Sequence, residues 1–347
     1  MDSYPVSSNS LEHIFHIDGN LLGQQYKEHL SDYNNWDQKD HANEWILFPQ
    51  NIGSHLSIDE TSLSNGELYT ILTNKDGKGK RGTIVAMVEG TCADKVSYIL
   101  NKIPKRSRDK VSEITLDMAS SMNLVAKKCF SNAEQVIDRF HVQKLAIEAL
   151  QEIRINHRWE AINEETNNIE NARTDKVEYV PEILDNGDTK KQLLFRSRYL
   201  LFKSPNKWSE SQKKRARILF KLYPDIKLAY SLTHSLRSIY NQRHKKNVAI
   251  AKLALWFNRV TDSGFKSFNT ISATIYSHYD KILNYFNNRS TNASAESFNA
   301  KIKAFRATQR EVRDINFFIL DLQKFMRNFL SPPSFQGSND KIGGLGC

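Results

Sequence analysis

Cysteine is scarce and unpatterned in this chain: Cys92, Cys129 and Cys347 are the only three, with no C-x-x-C spacing. That argues against a disulfide framework or a structural zinc cluster and fits a reducing cytoplasm. Cys347 is the last residue, whereas a prenylation box needs its cysteine fourth from the end. Long apolar runs are missing as well. No stretch reaches the roughly 18 apolar residues of a membrane span, and Phe317-Phe318-Ile319-Leu320 is bracketed by Asp314 and Asp321. The first twenty residues lack a basic segment followed by an apolar one, so no signal peptide is expected. No internal repeat is visible. The expectation is a soluble cytoplasmic protein with no membrane partner.

What is present in excess is positive charge. The formal net charge of +10 and a pI of about 9.3 point to a polyanionic partner, nucleic acid being the commonest. Ribosome-associated and membrane-surface proteins share that balance, so charge alone does not decide. A length of 347 residues allows one or two domains with a substantial core.

Residues 1–50 read as a polar lead-in segment, with a helix around Asn20–Tyr33 and aromatic anchors at Trp36, Trp45 and Phe48. His55–Leu63 then reads as a strand, and Asn65-Gly66 is a strong hairpin signal. Glu67–Thr73 is a second strand, Lys75–Gly82 a basic turn and Thr83–Glu89 a third strand. A helix follows from Ala93 to Lys102, where Val96, Ile99, Leu100 and Ile103 share a face. Val111–Leu116 is a fourth strand ending at Asp117, Ser120–Phe130 a helix, and Ala133–Ile137 a fifth strand ending at Asp138. A three-strand meander followed by alternating helix and strand predicts an α/β fold with a ribonuclease-H-like mixed sheet.

From Val142 to about Asn287 the pattern turns helical, with a polar loop or small hairpin at 164–192. A last helical region runs from Ser294 to Phe329, broken near Thr308. The predicted organisation is therefore a lead-in at 1–50 and the first part of the catalytic domain at 51–142. A large helical insertion at 143–290 precedes the last catalytic helix. C-terminal helices at 291–330 complete the domain, and a disordered Pro/Gly/Ser tail covers 331–347.

Asp59 and Asp117 occupy comparable places, one on the first strand and one at the end of the fourth, which are neighbours in such a sheet. Alternation puts Asp59 and Glu60 on opposite faces, so only one of them points into a shared site. Phosphodiester chemistry uses such carboxylates to hold two Mg²⁺ ions roughly 4 Å apart, and Mg²⁺ completes its shell with water and substrate oxygens. Each aspartate could equally cap a turn. Glu296 sits near the start of a helix, where the macrodipole favours a carboxylate, off the apolar stripe of Phe298, Ile302 and Phe305. Asn299 and Lys303 share its face, and Lys301, Arg306, Arg310 and Arg313 add cations suited to DNA phosphates. A solvated amphipathic helix is the plainer alternative. Asp138 and His141 are either auxiliary acid and proton-transfer groups or a helix N-cap with its hydrogen-bonded histidine. Lys213–Arg217 and Arg243–Lys246 are basic runs that suit a solvated helix face, and Trp208 and Trp256 read as core residues.

Four segments then carry a resemblance: Ile58-Asp59-Glu60-Thr61-Ser62, Leu116-Asp117-Met118, Asp138-Arg139-Phe140-His141-Val142, and Asn292-x3-Glu296-x2-Asn299-x-Lys301-Ile302-Lys303. In that order, over roughly residues 55–330, they resemble insertion-sequence transposases of the ISL3 type. The resemblance implies a DDE catalytic domain that cleaves element ends and joins them to target DNA. Its acids would be Asp59, Asp117 and Glu296, holding two Mg²⁺ or Mn²⁺ ions. The helical region that carries Glu296 offers DNA contacts through Asn299, Lys301, Lys303, Arg306 and Arg310, and synapsis of two element ends would call for a homodimer or larger complex. Such transposases usually begin with a zinc-binding segment and a helix-turn-helix. No Cys/His cluster precedes residue 58 here, which is similar to a split, ISAon-like subgroup and implies a separately encoded N-terminal-region protein as partner. A non-catalytic transposase remnant acting as a regulator, and a ribonuclease-H-like nuclease without strand transfer, are the alternatives.

Overall fold

A computed structural model of the chain describes residues 6–62, 67–78, 82–308 and 314–328. Two compact units form, one from the chain up to Glu134 together with the residues from Asn292 onward, the other from Gln135–Thr291.

The first unit is built on a six-stranded mixed sheet. Its strands are β1 (Trp45–Leu47), β2 (His55–Ser62), β3 (Leu68–Asn74), β4 (Ile84–Glu89), β5 (Glu113–Leu116) and β6 (Glu134–Ile137). The spatial order is β1-β4-β3-β2-β5-β6, and the unit boundary falls inside β6. β2 pairs antiparallel with β3, β3 with β4, and β4 with β1, whereas β5 runs parallel to β2. This mixed α/β arrangement is compatible with a ribonuclease-H-like fold. β4 is apolar from Ile84 through Val88 and buried on both faces up to Glu89, as a strand covered on both sides requires. The Asn65-Gly66 hairpin expected between β2 and β3 lies outside the described residues, as do Arg310, Arg313 and the tail.

Register decides which side chains share a face. Asp59 stands opposite Ile71, Ile71 opposite Met87, and Met87 opposite Ile46. Directly paired residues point to the same side, so Asp59 is the polar end of an otherwise apolar cross-sheet row. The helices Ala293–Thr308 and Ile315–Asn328 join that row to form the core. Phe298, Ile302 and Phe305 of the first helix and Ile319 and Leu322 of the second cluster with Ile46, Ile71 and Met87. The apolar stripe is buried as its spacing demands, each such side chain contributing about 1.5–3 kcal/mol. Helices Ala93–Leu100 and Ser120–Cys129 pack on each other and on β4 and β5.

The N-terminal segment differs from its expected shape. It contributes the edge strand β1, and the helix expected over Asn20–Tyr33 is an α-helix only at Gly19–Gln25, followed by a π-helical turn at Tyr26–Leu30. Asp18 caps it by accepting from the Leu21 N–H. Tyr26 and Tyr33 meet Phe317 edge-on, and Lys27 pairs with Asp314 at 2.7 Å, which anchors the segment to the last described helix.

The second unit contains helices and no strand beyond β6 among its described residues. Its first helix, Arg139–Thr174, has 36 residues and continues through 164–174, where a polar loop was expected. Glu164 and Glu165 pair there with Lys190 and Lys191, and beyond Ala161 the helix has no buried residue, so its last turns carry no apolar periodicity. At Asn186-Gly187 the chain makes a turn without flanking strands. A capping box of Ser209 and Gln212 opens the helix Glu210–Leu222. Trp256 is buried and donates to the Leu232 carbonyl at 2.9 Å, so it is a core residue. Trp208, also expected in the core, is instead half-buried against Phe220 and Tyr230 and donates to the Leu200 carbonyl at 3.0 Å. The basic run at Lys213–Arg217 is only partly a solvated face. Lys213 pairs with Glu210, but Arg215 reaches the buried Asp188 at 3.0 Å. No described helix is long and apolar enough to cross a membrane.

Candidate active site

Asp59 sits in the second half of β2, half-buried, beyond the fully buried Leu56 and Ile58. Its Oδ2 accepts a hydrogen bond from the Asn299 side-chain amide at 2.7 Å, and its Oδ1 accepts from the Glu60 N–H at 2.9 Å. Two residues earlier, the Ser57 hydroxyl donates to Asn292 Oδ1 at 2.6 Å. Ser57 and Asp59 lie on one face of the strand, and both contacts come from the start of the helix Ala293–Thr308. The sequence reading offered Asn299 to DNA. In the structure it is 8% exposed and its amide is committed to Asp59.

Asp117 follows β5, where its Oδ1 accepts from the Ala119 N–H at 2.8 Å just before the helix Ser120–Cys129. β2 and β5 run parallel with Ser57 opposite Thr115. Continuing that register by two residues brings Asp117 level with Asp59. Behind them, Lys75 bonds both Glu113 at 3.1 Å and Thr115 at 2.7 Å, a largely buried contact that fixes β5 against the end of β3.

Glu60 was set aside on alternation, yet it lies in the field of both aspartates. Burial first, then the charges of Asp117 and Asp59, push its carboxyl above the ordinary range. Its place beside Asp59 in the chain was the available signal, but the nearness of Asp117 is a tertiary fact.

Glu296 is exposed in the first turn of its helix, one turn before Asn299, where side chains three apart lie roughly 5–6 Å from one another at Cβ. Lys303 is exposed further along, and the Arg306 guanidinium lies 5.4 Å over the Phe318 ring. Lys301 is half-buried. Asp138, in the second unit, is 2% exposed and holds the N-cap position of the helix Arg139–Thr174 without a side-chain capping bond. The link to His141 is main-chain, its N–H donating to the Asp138 carbonyl at 3.2 Å.

Hard oxygen donors whose repulsion raises a neighbouring carboxyl suit a divalent cation, which would neutralise them. Among the described residues no three His, Cys, Asp or Glu side chains are grouped to hold an ion unaided. Mg²⁺ commonly takes one or two carboxylates and completes its shell from water and phosphate oxygens, so the donor set fits.

Comparison with known proteins gives one result. Neither the curated proteins nor the solved structures contain a match. A family profile described as transposase, for the DDE domain of the ISL3 type, matches residues 56–322. That span runs from β2 into the last described helix and contains Asp59, Asp117 and Glu296. The chain therefore belongs to the family of ISL3-type DDE transposases.

Proposed function

We propose that this transposase cleaves the ends of its element and transfers the freed strands into target DNA, with Asp59, Asp117 and Glu296 as the acid triad. The observation that carries this reading is the Asn299–Asp59 hydrogen bond. It ties the strand bearing the first acid to the helix bearing the third, across a sequence separation of 240.

Each residue has a definable task. Asn299 and the Glu60 N–H fix the Asp59 carboxylate in one orientation. The Ala119 N–H does the same for Asp117. Glu296 projects from a helix start, where the macrodipole stabilises its charge. Asp59 and Asp117, with Glu296, would hold two Mg²⁺ or Mn²⁺ ions, which when bound supply charge neutralisation and nucleophile activation for in-line displacement at phosphorus. Lys301, Lys303, Arg306 and Arg310 would neutralise backbone phosphates. Asp138 and His141 are assigned to the corner that starts the insertion, residues 143–290 in this reading. The active assembly, at least a dimer, would act on DNA at the element ends and at the target.

The test is a cleavage and joining assay on the element ends with Mg²⁺ or Mn²⁺. Wild type should join and E296Q should not. DNA binding without cleavage by the wild type under any condition would favour the regulator, and cleavage without joining would favour a simple nuclease.

A further inference from the structure

The helical unit carries a groove of about 790 Å³ that no residue of the acid site lines. Five cations and one carboxylate face it, and that carboxylate, Glu148, already has Lys144 at 3.8 Å. Among the described residues none of Arg154, Arg158, Arg198 and Arg237 has a carboxylate partner. Arg154 is 4% exposed and is held by Gln151 Oε1 at 2.6 Å and the Leu194 carbonyl at 2.9 Å. Burial, then repulsion from Arg158 and Arg198, brings its guanidinium down to about 10. The Arg158 Nε is buried without a hydrogen-bond partner.

Between these charges the groove is aromatic. Phe140, Trp159 and Phe195 line it and are 54%, 59% and 60% exposed, a large area for rings to leave in water. The Arg158 guanidinium lies 5.1 Å over the Phe195 ring, and Arg198 lies 5.4 Å over the neighbouring Tyr199.

We infer that this groove binds an unpaired stretch of DNA, with its bases stacked on Trp159 and Phe195 and its phosphates on Arg158, Arg198 and Arg237. Rings beside unpaired guanidiniums are the combination that holds single strands irrespective of sequence. Bases inside a duplex have both faces covered by their neighbours, so exposed rings discriminate in favour of bases out of the stack. The volume falls in the roughly 300–1,000 Å³ of small-molecule sites, enough for one or two bases. An apolar protein segment would fill the ring surface but leave four guanidiniums uncompensated, a costly arrangement. The inference rests on the transposase reading only in making DNA the partner.

The test measures binding of the full chain to a fluorescein-labelled oligothymidylate of about 15 nucleotides and to a mixed-sequence duplex of equal length, in chelator so that catalysis plays no part. Trp159→Ala and Phe195→Ala, at exposed positions, should keep the wild-type thermal transition. Each should weaken single-strand binding at least about 5-fold, with duplex binding unchanged. Trp159→Phe should restore most of the loss, and R158Q should weaken binding and flatten its salt dependence. Equal single-strand affinity in wild type and W159A would overturn the inference, as would equal losses on both DNAs. Loss of self-association with DNA binding intact would assign the groove to a second copy instead. Because the strand-joining assay is separate, failure of catalysis and failure of this site cannot be confused.

Discussion

Asn299 donates its side-chain amide to Asp59 Oδ2 at 2.7 Å. Asn292 accepts from Ser57 one strand position away on the same face, so the two asparagines grip β2 from points two turns apart. Between β2 and these residues the chain leaves to build an entire second unit. Asp59 is therefore held by a helix that follows it in the chain only after that whole unit.

Asn299→Ala should expose what this grip does. Side chains that orient metal-binding carboxylates typically change metal affinity or activity by about 10–100-fold when removed. N299A should show a loss of that order in cleavage at low Mn²⁺, recovered in part as Mn²⁺ is raised. A purely structural role would lower activity at every metal concentration alike and shift the thermal transition, which is the outcome that would remove Asn299 from the site. N299D should do worse than N299A, since it sets a second carboxylate against Asp59.

Divalent-ion binding should be visible without DNA. A ligand at 100 times its dissociation constant adds about 2.7 kcal/mol to the stability of the state that binds it, a rise of about 5–10 °C in Tm for a unit of this size. Mn²⁺ should raise the wild-type transition in calorimetry, and D59N and D117N should each reduce that rise. An unchanged rise in both variants would place the ion elsewhere.

The places of Asp59, Asp117 and Glu296 on or beside strands and at a helix start were legible because local pattern is strong there. The stripe Phe298, Ile302 and Phe305 was legible for the same reason. β1 was not, since three residues paired at a sheet edge carry no alternation long enough to read. The extension of the Arg139–Thr174 helix past Ala161, its last buried residue, was hidden because those turns bury nothing and so carry no apolar periodicity to read. The influence of Asp117 on Glu60 comes from the adjacent strand end, which a reading of one strand in isolation does not contain. Trp159 resembles any helical tryptophan in sequence; only its exposure separates it from Trp208 and Trp256.

Asp188 should prove one of the least replaceable residues of the helical unit. It is 1% exposed, with Arg196 and Arg215 both bonded to it and Asn186 donating at 2.6 Å. Burial alone would raise its carboxyl, but the two arginines hold it below the ordinary range. Removing one member of a buried ion pair costs about 3–5 kcal/mol, so Asp188→Asn should lose an amount of that order in urea unfolding. A loss below about 1 kcal/mol would mean the arginines find water instead.

Two histidines of the same unit should give its stability a maximum near pH 6.5. Burial, reinforced by Arg237, brings His234 down to about 4. Between about 4 and the unfolded value near 6.5 the unfolded chain binds a proton that the folded one refuses, so stability falls on acidification. His157 is the opposite case. Burial would lower it, but Asp225 at 2.5 Å and Glu160 at 2.8 Å outweigh that and raise it. Its contribution is complete below about 6.5 and is lost as pH rises through the raised folded value. Thermal unfolding from pH 4 to 8.5 should therefore lose slope on the acid side in His234→Gln and on the alkaline side in His157→Gln. Carboxylates elsewhere also titrate on the acid limb, which is why the difference from wild type is the quantity to read. Parallel curves for wild type and H157Q above pH 6.5 would mean that the Asp225 and Glu160 contacts do not persist in solution.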